Sequence, residues 1–408
     1  MSKKVILAYS GGENNSVIVK WLSLHYGYDV ITFTADLGQK KQEIEVAYKQ
    51  AKKLGIKKVY IEDLREIFVK KYIFPMFRAN TIYEGGYLLG ASIAQPLIIK
   101  RLIEIANLNK SNVISYGKTN KSNNQSRFDL GAYFINPYIK TIAPWRAFNF
   151  ISQKKLRQFF KTNKSTIDLF QKPNFEYSMN NNLLHISYKG GLLNNTWNEP
   201  KTKMWFWSNS LNKTPNKETY IDITFNKGDP IAINSDLLKP HEVIIKLNNL
   251  GSKHGIGRVD ITKNRYIGEG GLKSRCCYEN PGVTILYQAH KAIESITLDH
   301  KALQIKDSLM PLYAELIYNG HWWTTERKML QALIDTSQKA VNGIVRIKLH
   351  QGNVIIIGIK SDKALFKSSY AAFEEHKGIY NQKDSDIFIQ LKSIQFKIAT
   401  IQQHIKSL

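Results

Sequence analysis

Hydrophobic and polar positions along the first 140 residues switch repeatedly between a period of two and a period of three to four. Val5–Tyr9 is a short apolar run and reads as a strand. From about Ser16 to Tyr26, Val17, Trp21 and Leu24 fall on one helical face. Val30–Thr34 predicts a second strand, and Glu43–Leu54 a helix with Ile44, Ala47, Tyr48, Ala51 and Leu54 on its apolar side. Lys58–Ile61 predicts a third strand, Leu64–Ile73 a helix ended by Pro75, Ala91–Ala106 a helix interrupted by Pro96, and Val113–Tyr116 a fourth strand. Strands separated by helices at this spacing predict a parallel, doubly wound sheet.

Beyond about residue 170 the texture changes. Asn174–Lys217 is rich in Asn, Lys and Gly and reads as long loops with short strands. Thr219–Phe225 and Pro230–Asn234 predict a hairpin, followed by helices over Lys239–Leu250, Val283–Ser295, Asp307–Tyr318 and Thr325–Val341. Val345–His350 and Asn353–Ile359 flank Gln351-Gly352, a second hairpin signal. From about Ser385 onward, Ile387, Leu391, Ile394, Ile398, Ile401 and Ile405 recur three or four apart. That is an amphipathic helix whose apolar stripe we expect to pack against another subunit. The expected divisions are residues 1–170, residues 171–375 as an α+β unit, and residues 376–408 as an oligomerisation helix.

Composition sets the outer limits. The chain has 408 residues, 43% hydrophobic and 11% aromatic, ample for two or three domains with packed cores. No apolar run is long enough to predict a transmembrane helix, and the first residues read as a strand rather than a signal peptide. The two cysteines, Cys276 and Cys277, are neighbours and offer no disulfide framework. They read as a strand-edge pair, with no metal site, and a cytoplasmic setting is expected. Lys and Arg outnumber Asp and Glu by 58 to 33, a formal charge of +25. Lysine is spread along the chain and no nucleic-acid-binding motif accompanies it, so a nucleic-acid partner is not expected. The excess matches a general bias toward Lys, Ile and Asn.

Candidate chemistry begins at Ala8-Tyr9-Ser10-Gly11-Gly12, set between a strand and a helix. Two glycines let successive backbone N–H groups converge at the positive end of the helix, where an anion such as the pyrophosphate part of ATP fits. Ser10 and Ser16 are candidate hydroxyl donors there.

Further motifs extend this reading: TADLGQ (Thr34–Gln39), the stretch Val59–Asn80, APWR (Ala143–Arg146), WNEP (Trp197–Pro200), KHGIGRVDI (Lys253–Ile261), NRYIG (Asn264–Gly268) and AELIYNG (Ala314–Gly320). In residues, order and spacing, from Lys4 to about residue 390, the chain closely resembles argininosuccinate synthase. The resemblance implies an α/β fold: a doubly wound domain of ATP-pyrophosphatase type, an α+β synthetase domain and a C-terminal helix. It implies a ligase that joins citrulline and aspartate with ATP and Mg2+, releases AMP and pyrophosphate, and serves arginine biosynthesis as a homotetramer.

The resemblance places ATP on Ala8, Tyr9, Ser10, Gly11, Gly12, Asn14, Ser16, Ala35 and Gly117. It places citrulline on Tyr87, Ser92, Asn123, Arg127, Ser178, Ser187, Lys263 and Tyr278, and aspartate on Thr119, Asn123 and Asn124. Arg127 matches the arginine that grips the citrulline carboxylate with its bidentate fork. Three matched positions depart from the family. Asn14 stands where the family has an aspartate near the magnesium–pyrophosphate, and Asn124 where an aspartate faces the substrate amine. Lys263 stands where a glutamate faces the citrulline α-amino group. Gly268–Leu272 adds a glycine-rich insertion before Tyr278. These departures raise an alternative expectation, an impaired or substrate-shifted homologue that keeps the scaffold and nucleotide or anion binding.

Overall fold

The structure is a computed structural model and describes residues 3–117, 124–144, 177–264, 273–366 and 382–405. It begins with β1 (Lys4–Ala8), α1 (Glu13–Tyr26), β2 (Asp29–Asp36), α2 (Lys41–Lys53) and β3 (Val59–Asp63). After α3 (Arg65–Phe68), a π-helical turn (Val69–Ile73) and α4 (Phe74–Arg78) come α5 (Gly90–Leu108), β4 (Val113–Tyr116), α6 (Asn124–Ile135) and β5 (Lys140–Ile142). The five strands form one parallel sheet in the order β3-β2-β1-β4-β5. This is the doubly wound arrangement that the alternation predicts.

Period-two alternation in β1 explains the layers. Val5 and Leu7 point to one face and pack with Val17, Ile18, Trp21, Ala47 and Ala51 of α1 and α2. Ile6 and Ala8 point to the other face, into the large core that includes Ile93, Leu97 and Leu102 of α5. All of these side chains are buried.

Two expectations about proline are corrected. Pro75 does not end its helix: it lies in the first turn of α4, directly after the π-helical turn. A widened turn re-spaces the backbone bonds, and a first-turn proline needs no N–H donor. Pro96 does not interrupt its helix either, for α5 runs through it over 19 residues. Its neighbours Leu97, Ile99 and Leu102 are buried, and that packing outweighs one missing backbone bond.

The second half holds two antiparallel sheets. The first, in the order β10-β9-β8-β13-β14, uses β8 (Thr219–Asn226), β9 (Asp229–Ile233), β10 (Asp236–Leu237), β13 (Gly343–His350) and β14 (Asn353–Lys360). Both predicted hairpins are present, as β8–β9 and β13–β14. Ile221, Ile223 and Phe225 of β8 and Val345, Ile347 and Leu349 of β13 are buried. The accompanying helices are α7 (Pro240–Lys253), α8 (Pro281–Thr297), α9 (His300–Asn319) and α10 (Thr325–Gln338).

The other sheet runs β11-β12-β7-β6, from β6 (Ser178–Asn182), β7 (His185–Lys189), β11 (Arg258–Asn264) and β12 (Lys273–Glu279). Cys276 and Cys277 are buried on β12, which pairs on one side with β11 and on the other with β7. They are therefore interior to the sheet rather than a strand-edge pair. Burial pushes the Cys277 thiol up to about 12, so it is inert as a thiolate at neutral pH.

Residues Met1–Lys363 form one compact unit and Ala364–Leu408 another. In the latter, α11 (Gln382–Ile405) confirms the predicted terminal helix. The expected boundary near residue 170 lies outside the described residues.

Candidate nucleotide and substrate site

The strand order reverses direction between β1 and β4, and the carboxyl ends of such neighbours open a crevice for ligands. The phosphate turn leaves β1 at this point. Tyr9 is tied to β2 twice, its N–H donating to the Phe33 carbonyl at 2.8 Å and its carbonyl accepting from Thr34 Oγ1 at 2.7 Å. Gly11 has φ +71 and sits against α2, where an added Cβ would lie 2.6 Å from Ala47 Cα. Gly12 precedes α1 in an extended conformation, and its carbonyl accepts from the Asn15 and Ser16 N–H groups at 3.1 Å each. The positive end of α1 thus opens directly onto the turn.

Asn15, absent from the expected contacts, fastens the two sides of the crevice. With its amide oxygen toward Ser10, it accepts from the Ser10 N–H at 3.1 Å and hydroxyl at 3.0 Å. Its amide nitrogen donates to the Gly117 carbonyl at 3.0 Å. A side chain at Gly117 would overlap Asn15, so this approach requires glycine. Ser16 is placed differently from expectation. It is buried, its hydroxyl donating to the Gly12 carbonyl at 3.1 Å and lying 2.9 Å from the Tyr9 hydroxyl. It braces the turn from within instead of facing an anion. Ala8 is buried at the end of β1, and Ala35 near the end of β2 accepts from Gln39 Nε2 at 2.6 Å. Asn14 lies in the first turn of α1, and its side chain is outside the described residues.

A second cluster brings together four of the expected citrulline residues. Tyr87 precedes α5, Arg127 lies on α6, Lys263 on β11 and Tyr278 on β12. Tyr87 and Tyr278 have ring centroids 5.0 Å apart and are both buried. The Tyr87 hydroxyl accepts from the Ala91 N–H at 3.3 Å and lies 3.5 Å from Ser92 Oγ. Arg127 donates from Nε to the Tyr318 carbonyl, with its guanidinium carbon 4.4 Å over the Tyr318 ring. The Lys263 ammonium lies 3.2 Å from the Tyr87 centroid, 5.2 Å from that of Tyr278 and 5.4 Å from that of Tyr318.

Tyr318 and Tyr83 are the residues that sequence reasoning missed as contributors. Tyr318, on α9, stacks on Tyr83 at 3.9 Å and donates from its hydroxyl to the Asn264 carbonyl at 2.7 Å. It joins α6, α9 and the end of β11. Its signal lay in the AELIYNG motif, whose tyrosine follows the buried Ala314 and Ile317 at helical spacing.

Burial raises the Tyr87 phenol despite the nearby Arg127 cation, raises that of Tyr278 further, and pushes Tyr318 up to about 12. All three are neutral hydroxyls at physiological pH. Burial also holds the Lys263 ammonium well below its usual range, with the like charge of Lys189 adding to the effect.

The remaining positions divide. Ser187 pairs in register with Tyr278, is buried, and donates to the Asn180 carbonyl at 3.3 Å. Ser178, on the edge strand β6, is exposed and opposes Lys189. Thr119 and Asn123 lie outside the described residues. Asn124 opens α6, with its side chain outside them too.

A glycine turn at the switch point of a doubly wound sheet, with a cationic, tyrosine-lined cluster built on the following elements, defines a nucleotide-using enzyme of the α/β class. Residues 4–165 match the model of the arginosuccinate synthase N-terminal HUP domain, and residues 177–399 that of the arginosuccinate synthase C-terminal domain. The chain is 54% identical over 401 residues to argininosuccinate synthase of Hahella chejuensis, covering 98% of each chain. It is 54% identical to that of Stutzerimonas stutzeri and 53% to that of Pseudomonas aeruginosa, each over 97% of both chains. The chain belongs to the argininosuccinate synthase family and is a carbon–nitrogen ligase.

Proposed function

We propose that this chain joins citrulline and aspartate into argininosuccinate, with ATP converted to AMP and pyrophosphate. The observation that carries the reading is the convergence of Tyr87, Arg127 and Tyr278 in a chain that matches the family along its length. In the first step the ureido oxygen attacks the α-phosphorus and pyrophosphate leaves. In the second, the aspartate amine attacks the activated ureido carbon, AMP leaves with the bonding pair, and the amine loses a proton. The chain's part is positioning and charge stabilisation. The turn around Gly11 and Gly12 holds the departing pyrophosphate at the N-terminus of α1, and Arg127 orients the citrulline carboxylate.

Magnesium would accompany the ATP and neutralise charge on its phosphates. Among the described residues no group of three or more His, Cys, Asp and Glu could hold an ion alone. The Asn14 position supplies at most a neutral amide oxygen. We also assign aspartate to Thr119, Asn123 and Asn124, and the apolar stripe of α11 to contacts between subunits of a cytoplasmic homotetramer. No described helix is long and apolar enough to cross a membrane.

Purified protein given ATP, magnesium, citrulline and aspartate should release AMP, pyrophosphate and argininosuccinate in equal amounts. Arg127→Ala should lower kcat/KM for citrulline at least a hundredfold. Absence of pyrophosphate at saturating substrates overturns the assignment.

A further inference from the structure

Along β11, Val259, Ile261 and Lys263 alternate on one side while Asp260, Thr262 and Asn264 face the other. The side that carries two apolar residues therefore ends in an ammonium. Lys263 is only 6% exposed, and among the described residues its Nζ has no hydrogen bond or ion pair. It rests instead against the rings of Tyr87, Tyr278 and Tyr318. Tyr318 also carries the Arg127 guanidinium on its ring, and Lys189 is close enough to act on Lys263 with the same sign.

Glu84, the carboxylate whose charge reaches Lys263, is engaged elsewhere. It accepts from the Asn264 N–H and side-chain amide at 2.8 Å each. Ring faces offset only part of the cost of desolvating an ammonium. Among the described residues no side chain pairs with the buried Lys263 ammonium, and a ligand anion would balance its charge. A ureido acid brings such an anion in its carboxylate. A second ammonium on the same ligand would meet like charge where screening is poor.

We propose that Lys263 acts with Arg127 as a paired cationic holder of the ureido substrate's carboxylate, so that the site selects that carboxylate and gains nothing from an α-ammonium group. The proposal rests on the ligase reading above and makes Lys263 a specificity-determining residue within it.

The test compares citrulline with 5-ureidopentanoate, the same molecule without its α-amino group. Each is titrated calorimetrically into the full chain saturated with a non-hydrolysable ATP analogue. The wild type should bind 5-ureidopentanoate at least as tightly as citrulline, and Lys263→Glu should shift the ratio of the two affinities tenfold or more toward citrulline. A wild-type preference for citrulline, or a smaller shift, overturns the proposal. Should Lys263→Glu fail to bind the ATP analogue, Lys263→Gln serves instead. That variant should lose at least fivefold in affinity for 5-ureidopentanoate, and a smaller loss overturns the proposal. Pyrophosphate release with ATP and aspartate is read separately. Its absence with both compounds overturns the ligase reading, while the affinity ratio still judges Lys263.

Discussion

The phosphate turn and the tyrosine cluster solve their recognition problems with different parts of the chain. The turn is made within the stretch Ala8–Ser16, mostly from backbone, and is secured by Thr34 and by Asn15 reaching Gly117. The cluster is made of side chains from the segment before α5, from α6, α9, β11 and β12. A backbone site leaves little room for substitution where a glycine is pressed against a neighbouring element, as Gly11 is against α2, whereas a side-chain site can change its charge while the fold persists. On the proposal above Lys263 is such a change: its strand stays in register with β12, while its charge would alter what the cluster holds.

The sharpest way to break this contrast is to add one methyl group to the turn. Gly11→Ala places a Cβ 2.6 Å from Ala47 Cα and 2.9 Å from Ala47 N, both backbone atoms of α2. The left-handed conformation adds about 1–2 kcal/mol of strain for an alanine. We expect ATP-dependent pyrophosphate release to fall at least a hundredfold. Gly12→Ala meets nothing closer than Ser10 Oγ at 3.8 Å, and should leave thermal stability within about 0.5 kcal/mol of the parent. Measured ATP affinities for the pair decide the matter: near-equal values would show that the turn is not a rigid element.

Tyr318 tests the other side. Tyr318→Ala removes the ring beneath Arg127, the stack on Tyr83 and the hydroxyl bond to Asn264. It should cost about 3 kcal/mol of stability and lower kcat/KM for citrulline by roughly a hundredfold, with ATP affinity unchanged. Tyr318→Phe keeps the ring, loses the hydroxyl bond to Asn264 and should cost about 1 kcal/mol. If the alanine variant weakens ATP and citrulline alike, the two regions are not separable.

The same contrast explains what could be read from the sequence. The β1–α1–β2–α2–β3 run was legible because each element buries one face, and the Ser10-Gly11-Gly12 turn because its constraint is local. Pro75 and Pro96 misled because burial of Phe74, Met76, Phe77 and Leu97 overrides a local rule for helix ends. β11 escaped notice because Arg258, Asp260 and Lys263 break up its apolar pattern, and pairing with β12 makes it a strand. β12 was legible only around Cys276 and Cys277, because Arg275 interrupts it and its place between β11 and β7 is set by long-range pairing. The partners in the cluster stand up to 235 residues apart, from Tyr83 to Tyr318, so no spacing rule connects them. The family resemblance named Tyr87, Arg127, Lys263 and Tyr278. It did not name Tyr318, whose role is to hold those groups in place.

The smallest expected effect is a pH dependence of stability. Burial, and then the Lys189 charge, lower the Lys263 pKa in the folded chain from the ordinary 10.5. Between the lowered value and 10.5 the unfolded chain binds a proton that the folded chain does not. Stability therefore rises with pH through that window, and below it the buried ammonium carries its full cost. Lys263→Met keeps the length and apolar stem of the side chain and removes the charge. Without ligand it should raise Tm at pH 6 by about 2 °C, with a smaller gain at pH 9. A calorimetric Tm series for parent and variant isolates this group, since other titrations cancel in the difference. Equal pH slopes in the two proteins would mean that Lys263 reaches solvent, and the cluster would then need no ligand anion to balance it.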